Sequence, residues 1–457
     1  MLTDLRIRNF KGWRDTGPVR LAPLTVLFGS NSSGKSSLHQ LLLLLRQTVE
    51  SPDRRRVLHF GDAGTAVDLG SFADLIFRHD TSLPLRFELG WRPPEPVTVA
   101  DARHGVAHRG DALRFEAEIR AGAGTAGPHV ERLGYRLLDD GRPRLALGLE
   151  RADGGYRLTA EGFAPVPAPG DAPPLSAPAH FHAFPDDVGL RFQNLEGAAD
   201  LTYALERRLR SITYLGPLRE RPERLYRWSG EEPESVGWRG ELSVAALLAG
   251  DARRFARADG DPPQPLQVVV AEWLRRLDVI EDFEVAPLVA GHDRYLVRVR
   301  APGRAADVLM TDVGFGVSQV LPVVTQAFYA DPGQTVIVEQ PEIHLHPAVQ
   351  SRLADLLIDA VRMREDGRPR DVQFIVESHS EHLLRRLLRR IAEEEIGPRD
   401  VAMYFATPTP DGSRLEPLDV DELGIVRNWP QDFFGDPIED VAAQAQRATQ
   451  RRLSERG

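Results

Sequence analysis

Residues 29–36 read GSNSSGKS, the G-x-x-x-x-G-K-[ST] pattern of a phosphate-binding (Walker A) loop. An apolar run before the loop predicts a strand, and a leucine-rich run after it predicts a helix beginning at Ser37. Backbone N–H groups in such a loop close around phosphate oxygens at the positive end of the helix. Lys35 is expected to reach the β- and γ-phosphates, and Ser36 to hold Mg²⁺. The predicted nucleotide ligands are Gly29, Ser30, Asn31, Ser32, Ser33, Gly34, Lys35, Ser36 and Ser37.

Lysine is rare in this chain, which supports a specific role for Lys35. The 57 Lys and Arg residues include lysine at positions 11 and 35 alone. A lysine kept among so many arginines is expected where a compact ammonium is needed and a planar guanidinium does not fit. The alternative interpretation is a Gly/Ser-rich turn that binds no ligand.

Residues 335–347 (TVIVEQPEIHLHP) have the form of a Walker B segment. An apolar strand ends in Glu339, whose carboxylate is predicted to hold Mg²⁺ opposite the Walker A loop. Gln340 occupies the position where a glutamate usually polarises the attacking water, and a carboxamide cannot accept that proton. Glu342 is a candidate for the missing carboxylate, and the alternative is a solvated loop acid. The predicted catalytic residues are Lys35, Glu339, Gln340, Glu342 and His379.

His379 lies in residues 374–384 (FIVESHSEHLL), where a predicted buried strand ends and a helix begins. Beside the other motifs it is predicted to sense the γ-phosphate, whereas a lone histidine there would more often be structural. The helix places leucines on one face and four arginines on the other, namely Arg385, Arg386, Arg389 and Arg390. That arginine face is either solvated or a contact for phosphate or a partner.

Residues 312–324 (DVGFGVSQVLPVV) combine glycines, a serine and a predicted helix start, which indicates a second anion site. The place of this segment before Walker B fits a signature loop that one protomer offers to its partner's γ-phosphate. Its predicted nucleotide ligands are Gly314, Gly316 and Ser318, and the alternative is a simple helix-entry turn. For His344 and His346, which follow Walker B, a dimer-interface loop is favoured over a metal site.

Composition limits the class of protein. With 457 residues, of which 42% are hydrophobic and 27% charged, the chain is expected to form two lobes or one domain with large insertions. The absence of cysteine excludes disulfides and thiol catalysis and fits a reducing cytoplasm. A net charge of −10 argues against general coating of nucleic acid. Without a long apolar run or a signal peptide, a soluble cytoplasmic protein with no membrane partner is expected.

The order of predicted elements indicates an α/β fold with a mostly parallel sheet sandwiched by helices. Short strands separated by turns predict an antiparallel β segment. The Pro-rich residues 164–185, with His180 and His182 near their end, predict an exposed loop without a packed core. The predicted segments are an N-terminal ATPase lobe (1–90), the antiparallel segment with the Pro-rich loop (91–200), a helical lid or insertion (201–310), a C-terminal ATPase lobe (311–410) and a small C-terminal segment (411–457).

These motifs resemble those of ABC-class ATPase heads of the RecF, SMC and OLD (overcoming lysogenization defect) kind. The likeness rests on the opening LRIRNFKGW, the GSNSSGKSS loop, and the EQPEIHLHP and ESHSEHLL segments. More narrowly, YLGPLRERPERLY, DVGFGVSQVLP and NWPQDFF (428–434) are similar to a family of stand-alone bacterial ATPases with a small C-terminal domain of unknown role. The likeness covers residues 1–90 and 205–435, and the narrower family shares the Glu-Gln-Pro-Glu form of Walker B.

The resemblance implies a P-loop head that hydrolyses ATP with Mg²⁺ and works as a head-to-tail homodimer. Two ATP molecules lie between the Walker A loop of one copy and the signature loop of the other, so that ATP closes the dimer and hydrolysis opens it. No heptad run indicates the coiled coil of SMC proteins. Asp419, Asp421 and Glu422 lack the separate glutamate motif of a Toprim nuclease, so cutting is expected to fall to a partner.

Related ATPases work beside a nuclease in anti-phage defence, and others work in DNA repair. The leading interpretation is a regulatory ATPase that controls a separate nuclease or toxin. Gln340 is also compatible with an alternative function, a nucleotide-dependent scaffold that hydrolyses ATP slowly. The arginines within 206–227 and 385–390 are compatible with another alternative, a DNA-repair ATPase that binds DNA itself. A transporter subunit is disfavoured by the chain length and the diverged signature loop.

Overall fold

The computed structural model describes residues 1–101, 103–124, 126–170, 173–258, 260–429, 444–448 and 451. In chain order its strands are β1 (Leu2–Phe10), β2 (Trp13–Asp15), β3 (Val19–Arg20), β4 (Leu24–Gly29), β5 (Leu85–Trp91), β6 (Val97–Asp101), β7 (Val106–Gly110), β8 (Ala112–Arg120), β9 (His129–Asp139), β10 (Arg142–Ala152), β11 (Gly155–Glu161), β12 (Ile212–Leu215), β13 (Tyr226–Arg227), β14 (Arg254–Ala256), β15 (Gln264–Pro265), β16 (Asp282–Pro287), β17 (Arg294–Arg300), β18 (Val308–Leu309), β19 (Thr335–Glu339), β20 (Arg364–Glu365), β21 (Arg368–Pro369), β22 (Gln373–Glu377), β23 (Val401–Thr409) and β24 (Gly412–Pro417).

The α-helices of the described residues are α1 (Lys35–Glu50), α2 (Phe72–Leu75), α3 (Val188–Arg191), α4 (Ala198–Arg210), α5 (Ser243–Ala249), α6 (Leu266–Arg276), α7 (Phe315–Tyr329), α8 (Pro347–Arg362) and α9 (Glu381–Ala392). None of them is long and apolar enough to cross a lipid bilayer.

A six-stranded sheet in the order β12-β19-β22-β4-β23-β24 forms the centre of the fold. Its first five strands are parallel, and β24 is antiparallel at one edge. The middle strands β4, β19 and β22 are buried along their whole length, as strands covered by helices on both faces must be. This sheet confirms the predicted α/β fold with a mostly parallel sheet.

Alternate residues of these strands enter two different cores. Ile337 of β19 and Ile375 of β22 face a core that contains α1, whereas Val338 and Val376 face a core that contains α7, α8 and α9. The alternation follows from the two-residue period of a strand. The leucines of α1 are buried nearly all round because the same core includes the antiparallel sheet on the helix's other side.

The antiparallel sheet has the order β11-β10-β9-β8-β5-β1-β2, with β3 paired to β1. It therefore joins the first residues of the chain to the predicted antiparallel segment, and the predicted division at residue 90 falls inside β5. The predicted insertion at 201–310 likewise contributes β12 to the edge of the parallel sheet. Both sheets thus run across the predicted boundaries at residues 90 and 201. The division of the chain into segments remains a prediction.

The prediction of an unpacked Pro-rich loop at residues 164–185 is wrong at the end of that range, where residues 180–182 are buried. Phe181 is completely buried and meets the rings of Phe87 and Phe115 on the antiparallel sheet. His182 is also fully buried, with its Nε2 3.1 Å from a carboxylate oxygen of Glu206 on α4. A few apolar residues spaced among prolines were enough to anchor the segment, although they form no periodic pattern.

The pH dependence of folding should report the packing of His182. Burial lowers the pKa of His182, and this outweighs the hydrogen bond and charge of Glu206. The unfolded chain takes up a proton at the usual pKa of about 6.5 while folded His182 resists it, so stability should fall as the pH drops below about 6.5. Urea unfolding should show a smaller loss in His182→Gln than in the unchanged chain. The exposed His292→Gln serves as control, and equal losses in both variants would contradict this account.

Candidate active site

The Walker A loop turns sharply between β4 and α1, and two glycines permit the turn. Gly29 and Gly34 have φ angles of 142° and 90°, which favour glycine. A Cβ at Gly29 would lie 2.2 Å from the carbonyl oxygen of Ala406, and one at Gly34 would lie 3.1 Å from Nε1 of Trp13. The loop therefore fits closely against β23 on one side and the antiparallel sheet on the other.

Lys35 is the first residue of α1, two residues before the predicted start, and its ammonium folds back over the loop. Its Nζ donates to the carbonyl oxygens of Gly29 (3.1 Å) and Ser30 (2.8 Å). Burial lowers the pKa of Lys35, although the charges of Glu377 and Glu342 oppose that shift. The ammonium is thus held at the mouth of the loop, where the predicted phosphate contact requires it.

The predicted nucleotide ligands of the Walker A loop differ in their exposure to solvent. Ser30, Asn31 and Ser32 are exposed, and Gly34 and Ser36 are partly exposed. The side chains of Ser33 and Ser37 are buried, so they are placed to contribute backbone N–H groups rather than hydroxyls.

Parallel register brings the carboxyl ends of three strands to one edge, where Glu339 ends β19 and Glu377 ends β22 beside the Walker A loop. Ser36 Oγ donates to Glu377 Oε2 at 2.8 Å, and Glu377 Oε1 lies 4.0 Å from Lys35 Nζ. Burial raises the pKa of Glu377, and the charge of Glu339 adds to the rise. Glu377 was not among the predicted ligands.

Glu339 is held by two side chains that sequence analysis missed. His39 Nε2 lies 2.7 Å from Glu339 Oε1, and the Tyr214 hydroxyl donates to the same oxygen at 2.7 Å. Burial alone would raise the pKa of Glu339, but the charge and hydrogen bond of His39 outweigh it and lower the pKa. The two predicted metal ligands, Ser36 and Glu339, are therefore linked through Glu377 and His39.

Arg219 fixes the backbone just after the Walker B strand. Its guanidinium donates to the carbonyl oxygens of Glu339 (2.8 Å) and Gln340 (3.1 Å). Gln340 adopts a left-handed φ of 45°, and its N–H donates to the carbonyl of Glu377 at 2.8 Å. Backbone contacts thus position Gln340, whose side chain remains partly exposed.

Glu342 is not the solvated loop acid of the alternative interpretation. It is buried, and its Oε1 accepts a hydrogen bond from the backbone N–H of His379 at 2.6 Å. Burial raises the pKa of Glu342, against hydrogen bonds from His379 and Ser378 that lower it. Glu342 therefore holds the segment that carries His379 through one of its carboxylate oxygens.

His379 contacts the Walker A loop of its own chain. Its ring hydrogen-bonds to the backbone of Gly29, and burial and the charge of Lys35 lower its pKa. A neutral imidazole beside Gly29 and Lys35 is suitably placed to respond to a phosphate in the loop.

The predicted signature loop does not join this cluster but lies at the start of α7. Gly314 is the exposed N-cap residue, and a Cβ at Gly316 would lie 3.9 Å from Leu345 in the loop after Walker B. Ser318 is buried within its own chain. The glycines are therefore open to a partner, whereas the Ser318 side chain is not.

The remaining candidates have local structural partners. His346 caps α8 by accepting from the N–H of Ala348 through Nδ1, and His344 is exposed nearby. All four arginines on the outer face of α9 pair with acids. The arginine face is therefore largely neutralised.

Oxygen donors of the kind that Mg²⁺ prefers, a hydroxyl from Ser36 and carboxylates from Glu339 and Glu377, meet beside the Walker A loop. The residues present thus fit MgATP. A bound Mg²⁺ would neutralise phosphate charge, while Lys35 and the loop N–H groups would hold the phosphates in place.

Sequence signals for the missed residues were unequal. His39 follows Lys35 by four positions and so shares its helix face, and Glu377 ends a strand two residues before His379. Both residues could therefore have been predicted from the sequence. Tyr214 and Arg219 depend on β12 pairing with β19, which no local pattern indicates.

Substitutions of Glu342 separate a positioning role from general-base catalysis. Glu342→Gln keeps an oxygen that can accept from His379, so its ATP hydrolysis rate should stay within about tenfold of the unchanged chain. Glu342→Ala leaves a buried N–H unpaired and should lower the free energy of unfolding by about 1–3 kcal/mol and slow hydrolysis further. Equal loss of about 100-fold or more in both variants would instead identify a base. Steady-state phosphate release and urea unfolding measure the two effects.

Two family models match this chain. Residues 161–385 match "AAA domain, putative AbiEii toxin, Type IV TA system" (AAA_21), and residues 396–444 match "Protein of unknown function (DUF3696)". The first range contains Glu339, Glu377 and His379 but begins after the Walker A loop. Of the predicted NWPQDFF motif, the part from residue 430 onward lies outside the described residues. No curated protein gives a significant match.

Solved structures with a similar arrangement are heads of SMC proteins. An SMC head bound to the C-winged helix domain of ScpA is 11% identical, with a TM-score of 0.45 and coverage of 92% of this chain and 98% of that chain. The SMC head domain from Thermotoga maritima is 12% identical, with a TM-score of 0.39 and coverage of 92% and 99%. An SMC head with an extended coiled coil, bound to a ScpA domain derived from Pyrococcus furiosus, is 11% identical, with a TM-score of 0.42 and coverage of 92% and 96%.

The parallel sheet places the Walker A loop, the Walker B strand and His379 at one edge, and the AAA_21 match covers the second and third of these. The chain is therefore similar to ABC-class ATPase heads of the RecF, SMC and OLD kind, with residues 161–385 matching the AAA_21 model and a C-terminal segment matching DUF3696.

Proposed function

We propose that this chain binds MgATP, closes into a homodimer around two ATP molecules, and hydrolyses ATP to reopen. The observation that carries the proposal is the meeting of Lys35, Glu339, Glu377 and His379 at one sheet edge, beside the Walker A loop. This edge offers both phosphate-binding N–H groups and metal-binding oxygens, which phosphoryl transfer requires.

Hydrolysis in this proposal is slow. Gln340 can orient a water through its carboxamide but cannot take a proton from it. Glu342, the next acid after Gln340 along the chain, accepts the N–H of His379 with its Oε1. Slow turnover lengthens the time that the dimer stays closed, which suits a regulator that reports on ATP occupancy. The same measurement of phosphate release tests the alternative of a nucleotide-dependent scaffold that hardly hydrolyses ATP.

Dimerisation is supported by the exposed start of α7. The N-terminal end of a helix favours anions, and Gly314 and Gly316 leave its N–H groups accessible. Because this exposed loop lies beside the loop after Walker B, it suits a nucleotide held by a second copy.

The proposed biological role is control of a separate effector, a nuclease or toxin in anti-phage defence in the cytoplasm. The description of the matching family as a putative toxin of a type IV toxin–antitoxin system supports this role. Direct DNA binding is less supported, because the outer face of α9 pairs its arginines with Glu381, Asp355 and Glu393.

Lys35→Ala should weaken ATP binding by about 10- to 150-fold, the cost of losing a charge-assisted hydrogen bond to phosphate. Isothermal titration with ATP and Mg²⁺ measures the change. Lys11→Ala is the matched control, because the only other lysine of the chain contacts Gln40 and not the loop. In cells carrying the gene with its neighbours, Lys35→Ala should also abolish protection against phage. Unchanged affinity in Lys35→Ala would refute the assigned nucleotide site.

Gly314→Asp should block dimerisation while leaving the single chain intact. Gly314 has an ordinary φ of −60°, no atom lies within 4 Å of an added Cβ, and aspartate is a favourable N-cap. Its charge would, however, face the partner's γ-phosphate. Light scattering with a non-hydrolysable ATP analogue should show dimers for the unchanged chain and monomers for Gly314→Asp, at equal ATP affinity. Gly189→Asp, at another exposed glycine with open space, should still dimerise.

A further inference from the structure

The buried cluster at the end of Walker B contains a nitrogen ligand as well as oxygens. One atom each from His39, Glu339 and Glu377 lies within 4.8 Å of the others. His39 Nε2 is 2.7 Å from Glu339 Oε1 and 3.7 Å from Glu377 Oε2, and Ser36 Oγ is 2.8 Å from that same Glu377 oxygen. These four residues are called the His39 cluster below.

The separations in the His39 cluster suit neighbouring ligands of one metal ion. In an octahedral site with bonds of about 2.1 Å, adjacent ligands stand about 3 Å apart. The observed separations of 2.7, 2.8 and 3.7 Å lie around that value. Small shifts of side chains would therefore bring the ligand atoms of His39, Glu339 and Glu377, which lie within 4.8 Å of one another, onto one ion.

Further contacts hold these ligands in orientation, as outer contacts do in protein metal sites. The Tyr214 hydroxyl donates to the Glu339 oxygen that faces His39. Lys35 Nζ lies 4.0 Å from the Glu377 oxygen that does not contact Ser36. His39 is fully buried, and its Nε2 is the ring nitrogen that faces the carboxylates of both Glu339 and Glu377.

The geometry points to a divalent transition-metal site in which His39 Nε2 joins Ser36, Glu339 and Glu377 as a ligand. This rests on the proposed function only in placing the metal beside the nucleotide. Imidazole nitrogen is a poor ligand for Mg²⁺ but a good one for first-row transition ions, whereas carboxylates serve Mg²⁺ and Mn²⁺ alike. The site would therefore prefer a transition ion such as Mn²⁺ to Mg²⁺.

The competing role for His39 is that of a cation which neutralises two buried carboxylates. In that case the ring keeps a proton on Nε2 and no metal–nitrogen bond forms. Both roles predict that removal of His39 disturbs the site, so activity alone cannot separate them. Direct detection of a nitrogen ligand can.

Pulsed electron paramagnetic resonance of Mn²⁺ bound to the full chain detects a coordinated imidazole through modulation by its nitrogen. We expect this modulation with Mn²⁺ alone and with Mn²⁺ plus ADP, and its loss in His39→Gln. Mn²⁺ should bind His39→Gln at least about tenfold more weakly, the lower end of losses seen even for outer contacts. Mg²⁺ affinity should change far less. The exposed His292→Gln should keep the modulation.

Labelling the unchanged chain with ¹⁵N-histidine should alter the modulation, which shows that the coordinated nitrogen belongs to a histidine even if His39→Gln folds poorly. Absence of nitrogen modulation in the unchanged chain, or its persistence in His39→Gln, would overturn the site. ATP titration with Mg²⁺ tests the proposed function separately. ATP binding without nitrogen modulation refutes only the metal site, and nitrogen modulation without ATP binding refutes only the nucleotide function.

Discussion

Three buried carboxylates within one small region set the conditions that the rest of this structure must meet. Each needs compensation, because an unpaired buried charge is costly. Glu339 receives His39 and Tyr214, Glu377 receives Ser36 with Lys35 nearby, and Glu342 receives the N–H of His379. The partners come from three separate stretches of chain, so the cluster links those stretches to one another.

Helix α1 can hold compensating side chains beside the buried carboxylates because it is packed on both sides. Its leucines share a core with the antiparallel sheet and with one face of the parallel sheet, so the helix axis has little freedom. Lys35, Ser36 and His39 all project from its first turns. The antiparallel strands, which carry no candidate catalytic residue, thereby contribute to the placement of the residues that do.

The sequence was most informative where a local pattern is tied to a fixed geometry. Apolar strands followed by loop motifs predicted the parallel sheet, and strand ends predicted Glu339 and His379. Contacts between distant segments were out of reach: Tyr214 and Arg219 arrive through the pairing of β12 with β19, and Glu342 turns inward because the His379 segment lies there. The packing of the Pro-rich residues 164–185 could not be predicted for a related reason, since Phe181 contacts aromatic rings that are distant in sequence.

One indole side chain joins the antiparallel sheet to the Walker A loop. Trp13 is completely buried in β2, and its Nε1 donates to the carbonyl oxygen of Gly34 at 2.9 Å. Indole fluorescence depends on the hydrogen bond at this nitrogen and on nearby charge. A form of the chain that keeps Trp13 and replaces its five other tryptophans, out of six in all, would carry an optical reporter beside the phosphate position without any added dye. Loop movement could then be followed in real time by stopped-flow emission.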